Sequence, residues 1–352
     1  MTFRARIAPF ALSLALLAPA ATAAAAPQAE AAAKEKAASS LSLAELSARR
    51  DLWPEKVALK KDVRLNGVGK LAKGTEVRLQ DLQGGTATVD AGNAVFDYPA
   101  ADTDVLERAR AGIAKMTPEQ FALTEQSLME RTDLWPLQVA LTAELGFTNG
   151  VTLPAGHEVV LRDLNKDGVW LADRKSGENF QAMVQETDLV RRARERLALP
   201  EKDRQPFFVR ALEATIEKDG KIGAEGALAG VDLILVYKGR KGCTRCSAFV
   251  PELQKFYAKT KPENARFEVV FASQDATPQL AKEYMAEAKL PGLAIAQERN
   301  VEAANVASIS GQLLPTVLLF DRNGKLLTRN HPNAGKPTGE DVLADVAKRL
   351  KG

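Results

Sequence analysis

The sequence predicts a multidomain protein in which two small all-β units with flanking helices precede an α/β domain. One observation is a segment of about 60 residues that occurs twice, each time with short alternating apolar stretches between glycine turns. The other is a change of pattern after Val231, where apolar strands begin to alternate with helical segments, as in α/β domains. The predicted segments are an export signal at 1–26, a linker at 27–40, a first repeat at 41–115, a second repeat at 116–199 and the α/β domain at 200–352.

Length and composition are those of a globular protein with more than one domain. The chain has 352 residues, of which 45% are hydrophobic and 26% charged, values typical of soluble globular chains. The formal net charge is only +3. Because affinity for nucleic acid depends on neutralising phosphates, so small a charge argues against a nucleic-acid partner.

The N-terminus has the features of an export signal. Arg4 and Arg6 precede an apolar stretch, Ile7–Leu17, and Ala21-Thr22-Ala23 fits an A-x-A cleavage site. We therefore expect export to the periplasm or the medium with removal of the signal. The alternative is an uncleaved membrane anchor, although the apolar stretch is short for a span. No later segment approaches the length of a membrane helix, so no span is expected after signal removal.

The repeat is detected as one register kept over most of its length. Segments in the two copies match at an offset of 82 residues, which becomes 84 near the end of each copy. Such self-similarity indicates duplication of one structural unit. The matching segments are 51–54 with 133–136, 74–82 with 156–164, and 103–110 with 187–194.

Each repeat shows the pattern of a small β-barrel. In the first, a strand at 76–79 leads through Gly84-Gly85 into a strand at 86–89, which predicts a hairpin. Short strands and glycine turns suggest a five-stranded barrel, and the pattern resembles bacterial SH3-like domains. That resemblance implies a possible cell-envelope ligand for the repeats.

Two residue types in the repeats allow a functional and a structural interpretation. Trp53 and Trp135 could be exposed aromatics for a peptide or glycan ligand, or could pack each barrel against its preceding helix. The packing interpretation is favoured, since large aromatics dominate small cores. His157 precedes a strand with no Cys or second His nearby, so we expect a surface residue.

The chemistry of the α/β domain centres on Cys243 and Cys246, the only cysteines in the chain. An apolar strand, 232–237, runs into them and a helical pattern, 247–259, follows. Cys243 is therefore predicted at a helix N-terminus, where the dipole and unpaired N–H groups stabilise a thiolate. Lys241 and Arg245 add positive charge in the same sense. Cys246, one turn later, is placed to resolve a mixed disulfide.

Two other roles for the cysteine pair are less favoured. A structural disulfide that closes so small a loop would add little stability. Half of a zinc site has the same spacing, but no further cysteine exists and His331 lies far along the chain. No metal is expected.

The residues around the cysteines resemble the thioredoxin superfamily, in particular its tryparedoxin/nucleoredoxin-like branch. The resemblance covers roughly 216–350 and rests on the C-x-x-C motif, Pro251, the strand at 267–273 and the tripeptide Leu314-Pro315-Thr316. It implies a thioredoxin-like fold with Pro315 in the cis form beside the disulfide. Leu314, Pro315 and Thr316 are then expected to bind substrate backbone.

The resemblance also sets expectations for cofactor and partners. The disulfide itself carries the electrons, so the resemblance implies no dissociable cofactor. The implied partners are protein disulfide or dithiol substrates and a thiol redox partner. The branch tends to have a tyrosine six positions before the first cysteine, here Tyr237. The branch usually has tryptophan at the position of Gly242. It also commonly has a proline between the two cysteines, where this chain has Thr244-Arg245. We expect Gly242, Lys241 and Arg245 to tune the thiolate.

The predicted function is that of an exported thiol–disulfide oxidoreductase. A protein of another class remains an alternative, namely a cell-envelope scaffold that binds its ligand through the repeats and carries an auxiliary or degenerate redox domain. In a hybrid of the two, the repeats raise the local concentration of the redox domain near its substrates.

Overall fold

The computed structural model describes residues 32, 34–36, 38–65, 69–147, 151–299, 302–303, 313–330 and 337–351. The predicted export signal and His331 lie outside these residues, and the described part of the predicted linker from residue 32 onward is helical. The chain divides into two compact units, the first ending at Ala122 and the second beginning at Leu123. Within the described residues, no helix is both long and apolar enough to cross a membrane.

The first repeat is built on an antiparallel sheet with helices before and after it. Its first helix starts at Ser42, whose hydroxyl and the Glu45 carboxylate form a reciprocal capping box. Its long second helix buries Val105, Ala109 and Ile113 on one face. The elements are α1 (Leu43–Ala48), β1 (Lys56–Ala58), β2 (Val63–Leu65), β3 (Gly69–Leu71), β4 (Glu76–Gln83), β5 (Thr86–Asp90), β6 (Val95–Pro99), α2 (Val105–Lys115) and α3 (Pro118–Ala122).

The second repeat has the same elements in the same order as the first repeat from α1 to α2. Its sheet pairs Val139 with Val159 where the first pairs Val57 with Val77, and both sheets have an irregularity two residues further on. The segments that match in sequence thus form the same strand pairing in both repeats. The elements are α4 (Glu125–Glu130), β7 (Gln138–Ala140), β8 (Leu145–Gly146), β9 (Thr152–Leu153), β10 (Glu158–Asn165), β11 (Gly168–Ala172), β12 (Asn179–Ala182) and α5 (Leu189–Leu197).

The sheets of the repeats do not close into barrels within the described residues. Each repeat has a four-stranded sheet, in the order β1-β4-β5-β6 or β7-β10-β11-β12, and a separate two-stranded hairpin. Alternation along a strand specifies which face is buried but not which edges pair, so the number of strands per sheet was not determined by the pattern. The SH3-like assignment stays a prediction.

The two tryptophans have the packing role that the sequence favours. The indole N–H of Trp53 donates to the Leu46 carbonyl at 2.6 Å, and that of Trp135 donates to the Leu128 carbonyl at 2.7 Å. Each ring therefore joins its sheet to the preceding helix. His157 is not the plain surface residue that the sequence predicts, because its ring is half-buried with Nε2 3.0 Å from the Asp173 carboxylate.

A short helix, α6 (Phe207–Glu213), joins the second repeat to the α/β domain. Phe207 and Ala211 belong to the core of the repeat, and the Phe207 ring lies 5.4 Å from that of Trp135. Phe208 and Leu212 face the other way, into one of the two cores of the α/β domain. Apolar side chains on both faces make α6 a shared wall of the two cores.

The α/β domain is a seven-stranded mixed sheet with apolar cores on both faces. Its order is β14-β13-β17-β16-β15-β18-β19, with β15, β16 and β17 parallel and β18 antiparallel to β15. Every residue of β15 and β16 is buried, as expected for central strands. The elements are β13 (Ile216–Lys218), β14 (Lys221–Ile222), β15 (Leu233–Gly239), α7 (Thr244–Thr260), β16 (Phe267–Ser273), α8 (Pro278–Glu287), β17 (Leu293–Ile295), β18 (Thr316–Asp321), β19 (Leu326–Arg329) and α9 (Gly339–Arg349).

Candidate functional site

The cysteines follow a tight turn at the carboxyl end of the central strand β15. The turn is closed by the Cys243 N–H, which donates to the Arg240 carbonyl at 3.4 Å, and Gly242 has a φ of 75°. A positive φ at the third position of a turn favours glycine. A Cβ on Gly242 would meet no atom within 4 Å, so backbone conformation and not space accounts for glycine there. Tryptophan at this position would require a strained left-handed conformation.

Cys243 and Cys246 form a disulfide, and the two residues differ in exposure. Cys243 is half-buried at the N-cap of α7, whereas Cys246 is fully buried in the first turn. The Cys246 N–H points at the Cys243 sulfur, 3.2 Å away. A helix N-terminal N–H in this position stabilises a thiolate on the outer cysteine.

Lys241, one of the residues expected to tune the thiolate, is already paired. Its Nζ lies 2.7 Å from a Glu287 carboxylate oxygen and 2.9 Å from one of Glu283, and hydrogen bonds to these two groups raise the Lys241 pKa. Its main-chain N–H donates to Asp275 at 3.0 Å, and the Ser273 hydroxyl orients the same carboxylate. The loop is therefore held by β16 and α8. Thiolate tuning by Lys241, Gly242 and the exposed Arg245 stays a prediction.

The Pro315 loop lies next to the cysteine loop because of strand register. Thr316 pairs with Lys238 near the end of β15, so the start of β18 is beside the residues that lead to Cys243. The Leu314–Pro315 peptide bond is cis. Leu314 packs against the same apolar cluster as both cysteines. The Thr316 hydroxyl donates to the Leu313 carbonyl at 2.5 Å.

Asn330 holds the Pro315 loop in place. Its side-chain N–H donates to the Pro315 carbonyl at 2.9 Å, and its side-chain oxygen accepts the Val317 N–H at 2.8 Å. Asn330 is buried, so these bonds satisfy groups that would otherwise lose solvent without compensation. Asn330 was not among the residues predicted from sequence, because a single asparagine after a strand carries no periodic signal.

A tyrosine pair lies in the core on the cysteine side of the sheet. The hydroxyls of Tyr237 and Tyr284 are 3.0 Å apart, and the Tyr237 ring packs between Phe249 and Phe271, each with its centroid 5.7 Å away. Burial raises the Tyr237 pKa, and the hydrogen bond to Tyr284 acts in the same direction. Tyr237 therefore contributes a neutral hydroxyl at physiological pH. Among the described side chains, no group of three or more His, Cys, Asp or Glu could hold a metal ion.

Comparison with known proteins places the C-terminal region among thioredoxin-like domains. A thioredoxin-like family model matches residues 230–326. The Arabidopsis thaliana protein described as probable nucleoredoxin 1 is 26% identical over 140 residues, which are 40% of this chain and 24% of that protein. Nucleoredoxin of Danio rerio is 29% identical over 119 residues, covering 32% of this chain and 27% of that protein. The chain thus matches about a quarter of the length of these relatives.

Part of the chain is also similar to solved structures. Native tryparedoxin I from Crithidia fasciculata is 26% identical, with a TM-score of 0.30 and coverage of 41% of this chain and 91% of that one. A thiol:disulfide interchange protein from Bacteroides sp. is 22% identical, with a TM-score of 0.29 and coverage of 35% of this chain and 76% of that one. The family match shows a thioredoxin-like domain in the C-terminal part of the chain, and the curated relatives that resemble this part are nucleoredoxins.

Proposed function

We propose that the protein is an exported thiol–disulfide oxidoreductase that exchanges with protein substrates through Cys243 and Cys246. The observation that carries the proposal is the asymmetry of the pair. Cys243 is half-buried and its sulfur accepts an N–H from the helix start, whereas Cys246 is completely buried. The nucleophile of an exchange reaction needs access and thiolate stabilisation, and the resolving thiol needs neither.

The chemistry follows from this division of roles. The Cys243 thiolate attacks one sulfur of a substrate disulfide, the substrate S–S bond breaks, and the departing sulfur leaves as a thiolate that takes a proton. Cys246 then loses its proton and attacks the Cys243 sulfur, which breaks the mixed disulfide and releases the second substrate thiol. Two electrons pass to the substrate, and the protein is left oxidised. The reverse sequence oxidises a dithiol.

Substrate docking is assigned to the loop beside the cysteines. Leu314, Pro315 and Thr316 would receive an extended segment of the substrate. The buried Asn330 supports this part of the proposal, because its side chain donates a hydrogen bond to the Pro315 carbonyl and so holds the loop in place. No dissociable cofactor is needed, and a separate thiol redox partner would reset the disulfide.

The N-terminal repeats are assigned a localising role. After export and removal of the signal, SH3-like repeats would bind a ligand of the cell envelope. Tethering there would raise the concentration of the redox domain near its substrates without new contacts at the cysteines.

Trapping of substrates by the Cys246→Ser variant tests the function. Without the resolving thiol, Cys243 should accumulate mixed disulfides with exported proteins, and the wild type should reduce insulin in the presence of dithiothreitol. The matched control is Cys243→Ser, which keeps one cysteine but should trap nothing because Cys246 is buried. Absence of both trapped partners and insulin reduction would contradict the proposal and favour the scaffold alternative.

A further inference from the structure

A cleft outside the disulfide site lies where the second repeat meets the α/β domain. Its volume is about 680 Å³, and its walls come from α5, from the residues after Trp135 and from α6. This volume falls in the range of small-molecule pockets, roughly 300–1,000 Å³. Leu137 and Leu199 contribute apolar surface to its lining. We call it the arginine cleft because Arg192, Arg196 and Arg210 line it.

Arg192 has a structural role that accounts for its charge. Its guanidinium donates to Asp188 at 2.8 Å and also to Glu158. The first repeat has the same arrangement, in which Arg108 pairs with Asp104 and Glu76. Because two carboxylates neutralise the Arg192 guanidinium, it has no positive charge left to attract a ligand.

Arg196 and Arg210 are different, because they are hydrogen-bonded mainly to neutral groups. Arg196 Nε donates to the Asp133 carbonyl at 3.1 Å, and its Nη2 is buried without an acceptor among the described residues. Arg210 donates to the carbonyls of Gln205, at 2.9 Å, and Trp135. Burial, reinforced by repulsion from Arg196, lowers the Arg210 pKa to about 9.

Nearby carboxylates offset this charge only in part. Asp133 is the acid that attracts both Arg196 and Arg210, yet it is bound by Arg131 at 2.9 Å and lies 4.0 Å from Arg204. Asp133 thus serves several guanidinium groups. Glu213 also lines the cleft and attracts Arg210, but burial raises the Glu213 pKa and so favours its neutral form. Half-buried cationic groups in this situation are stabilised by an anion from outside the chain.

The first repeat is an internal control for the role of Arg196. At the offset of 84 residues that relates α5 to α2, the equivalent position is Gly112. A Cβ on Gly112 would meet no atom within 4 Å, so the smaller residue is not imposed by crowding. The first repeat forms the same sheet and helices without a guanidinium there. Arg196 is therefore not a requirement of the repeat fold.

We propose that the arginine cleft binds a small organic monocarboxylate, whose carboxylate is received by Arg196 and Arg210 and whose hydrocarbon lies on Leu137 and Leu199. A planar guanidinium group can bind a carboxylate through two parallel hydrogen bonds, in a bidentate geometry. The rim residues Glu195 and Glu225 also line the cleft and are exposed. Their negative charge disfavours a doubly charged phosphate and favours a singly charged ligand with an apolar body. The inference is independent of disulfide exchange.

Calorimetric titration of the full chain with hexanoate tests the proposal, with hexanol and inorganic phosphate as comparison probes. Hexanoate should bind saturably, and hexanol, which has the same chain without the charge, should bind at least tenfold more weakly. Arg196→Gln should weaken hexanoate binding at least tenfold. Arg210→Lys keeps the charge but not the planar fork, and should weaken binding as well.

The control is Arg78→Gln, which alters an exposed arginine of β4 in the first repeat. It should leave hexanoate affinity within twofold of the wild type, and circular dichroism should show every variant folded. No saturable hexanoate binding, binding that Arg196→Gln leaves unchanged, or phosphate binding tighter than hexanoate would each overturn the proposal.

Discussion

Individual residues around the disulfide owe their roles to neighbours that are distant in sequence. Lys241 is adjacent to the cysteine turn, but the acids that pair with it, Glu283 and Glu287, lie on α8. The three side chains together carry one negative charge. The local abundance of basic residues before Cys243 therefore overstates the positive charge that reaches the sulfur.

Removal of the two acids should make Lys241 available to the thiolate. We expect the Glu283→Gln, Glu287→Gln double variant to lower the Cys243 pKa, because the ammonium loses its partners and its field acts on the nearby sulfur. The rate of iodoacetamide alkylation as a function of pH, measured on the reduced protein, reports that pKa. Glu201→Gln, in the segment before α6, is the control. An unchanged or raised Cys243 pKa in the double variant would contradict the expectation.

Glu213 gives a pH dependence of stability with a definite sign. It is buried, and burial raises its pKa above the ordinary value of 4.5, even though the Leu228 N–H donates to it at 2.7 Å. The folded state therefore favours the protonated form. The resulting stabilisation is complete below pH 4.5 and is lost as the pH rises through the folded-state pKa. A tenfold difference in the acid constant between the folded and unfolded states corresponds to about 1.4 kcal/mol.

Glu213→Gln should remove this loss, since the amide oxygen can still accept the Leu228 N–H and carries no charge. Urea unfolding between pH 4 and 8 should show the wild type losing stability relative to the variant as the pH rises. Glu263→Gln, which removes an exposed carboxylate that does not contribute to the Glu213 pKa, should follow the wild type. Parallel curves for wild type and Glu213→Gln would show that the Glu213 carboxyl has the same pKa in the folded and unfolded states.

At the scale of elements, α6 is the structural link inside the C-terminal unit. Adjacent phenylalanines point to different cores, with Phe207 against Trp135 and Phe208 against Phe320, at centroid distances of 5.4 and 5.2 Å. The apolar run from Phe207 was visible in the sequence. Its division between two cores was not, because periodicity indicates which side chains are buried without indicating what they contact.

Phe207→Ala and Phe208→Ala form a matched pair that separates the two faces. Each should destabilise the C-terminal unit by about 3–5 kcal/mol, the usual cost of a large-to-small change in a core. Only Phe207→Ala should change the native fluorescence of Trp135, measured in a background where Trp53 and Trp170 are phenylalanine. A similar change from both variants would mean that α6 does not separate the two cores.

At the scale of the whole molecule, the repeats belong to different compact units despite their common origin. The second repeat belongs to the same compact unit as the α/β domain. Two hydrogen bonds between them illustrate this. Arg210 donates to the Trp135 carbonyl, and Arg162 donates to the Glu302 carbonyl at 3.2 Å. The predicted boundary at 199/200 marks the end of the repeat pattern in sequence, not the edge of a compact unit.

Two truncated chains test this organisation. A chain of residues 123–352 should unfold cooperatively and retain the disulfide exchange activity of the full chain. A chain of residues 200–352 should unfold at a clearly lower temperature, because Phe207 and Ala211 lose the core that covers them. Calorimetric melting of both chains makes the comparison. Equal melting temperatures would show that the second repeat does not stabilise the α/β domain.

The features predicted from sequence are those encoded locally. The buried strand before Cys243 and the start of α7 at Cys243 both depend on adjacent residues, and the repeat is visible as self-similarity. Asn330 and Asp275 could not be found in this way, because their partners are set by strand register and loop packing. Whether the sheets of the repeats close into barrels could likewise not be predicted, because the alternation of apolar residues does not show which strand edges pair.

The unequal exposure of the two cysteines makes the reduced protein a candidate for single-site conjugation. A bulky maleimide should reach Cys243 alone while the fold is intact, because Cys246 has no exposed surface. The chain has no other cysteine, so one dye or affinity handle per molecule would be attached at the start of α7. A second handle would be attached only after unfolding, and the mass of the conjugate would then report the folded state.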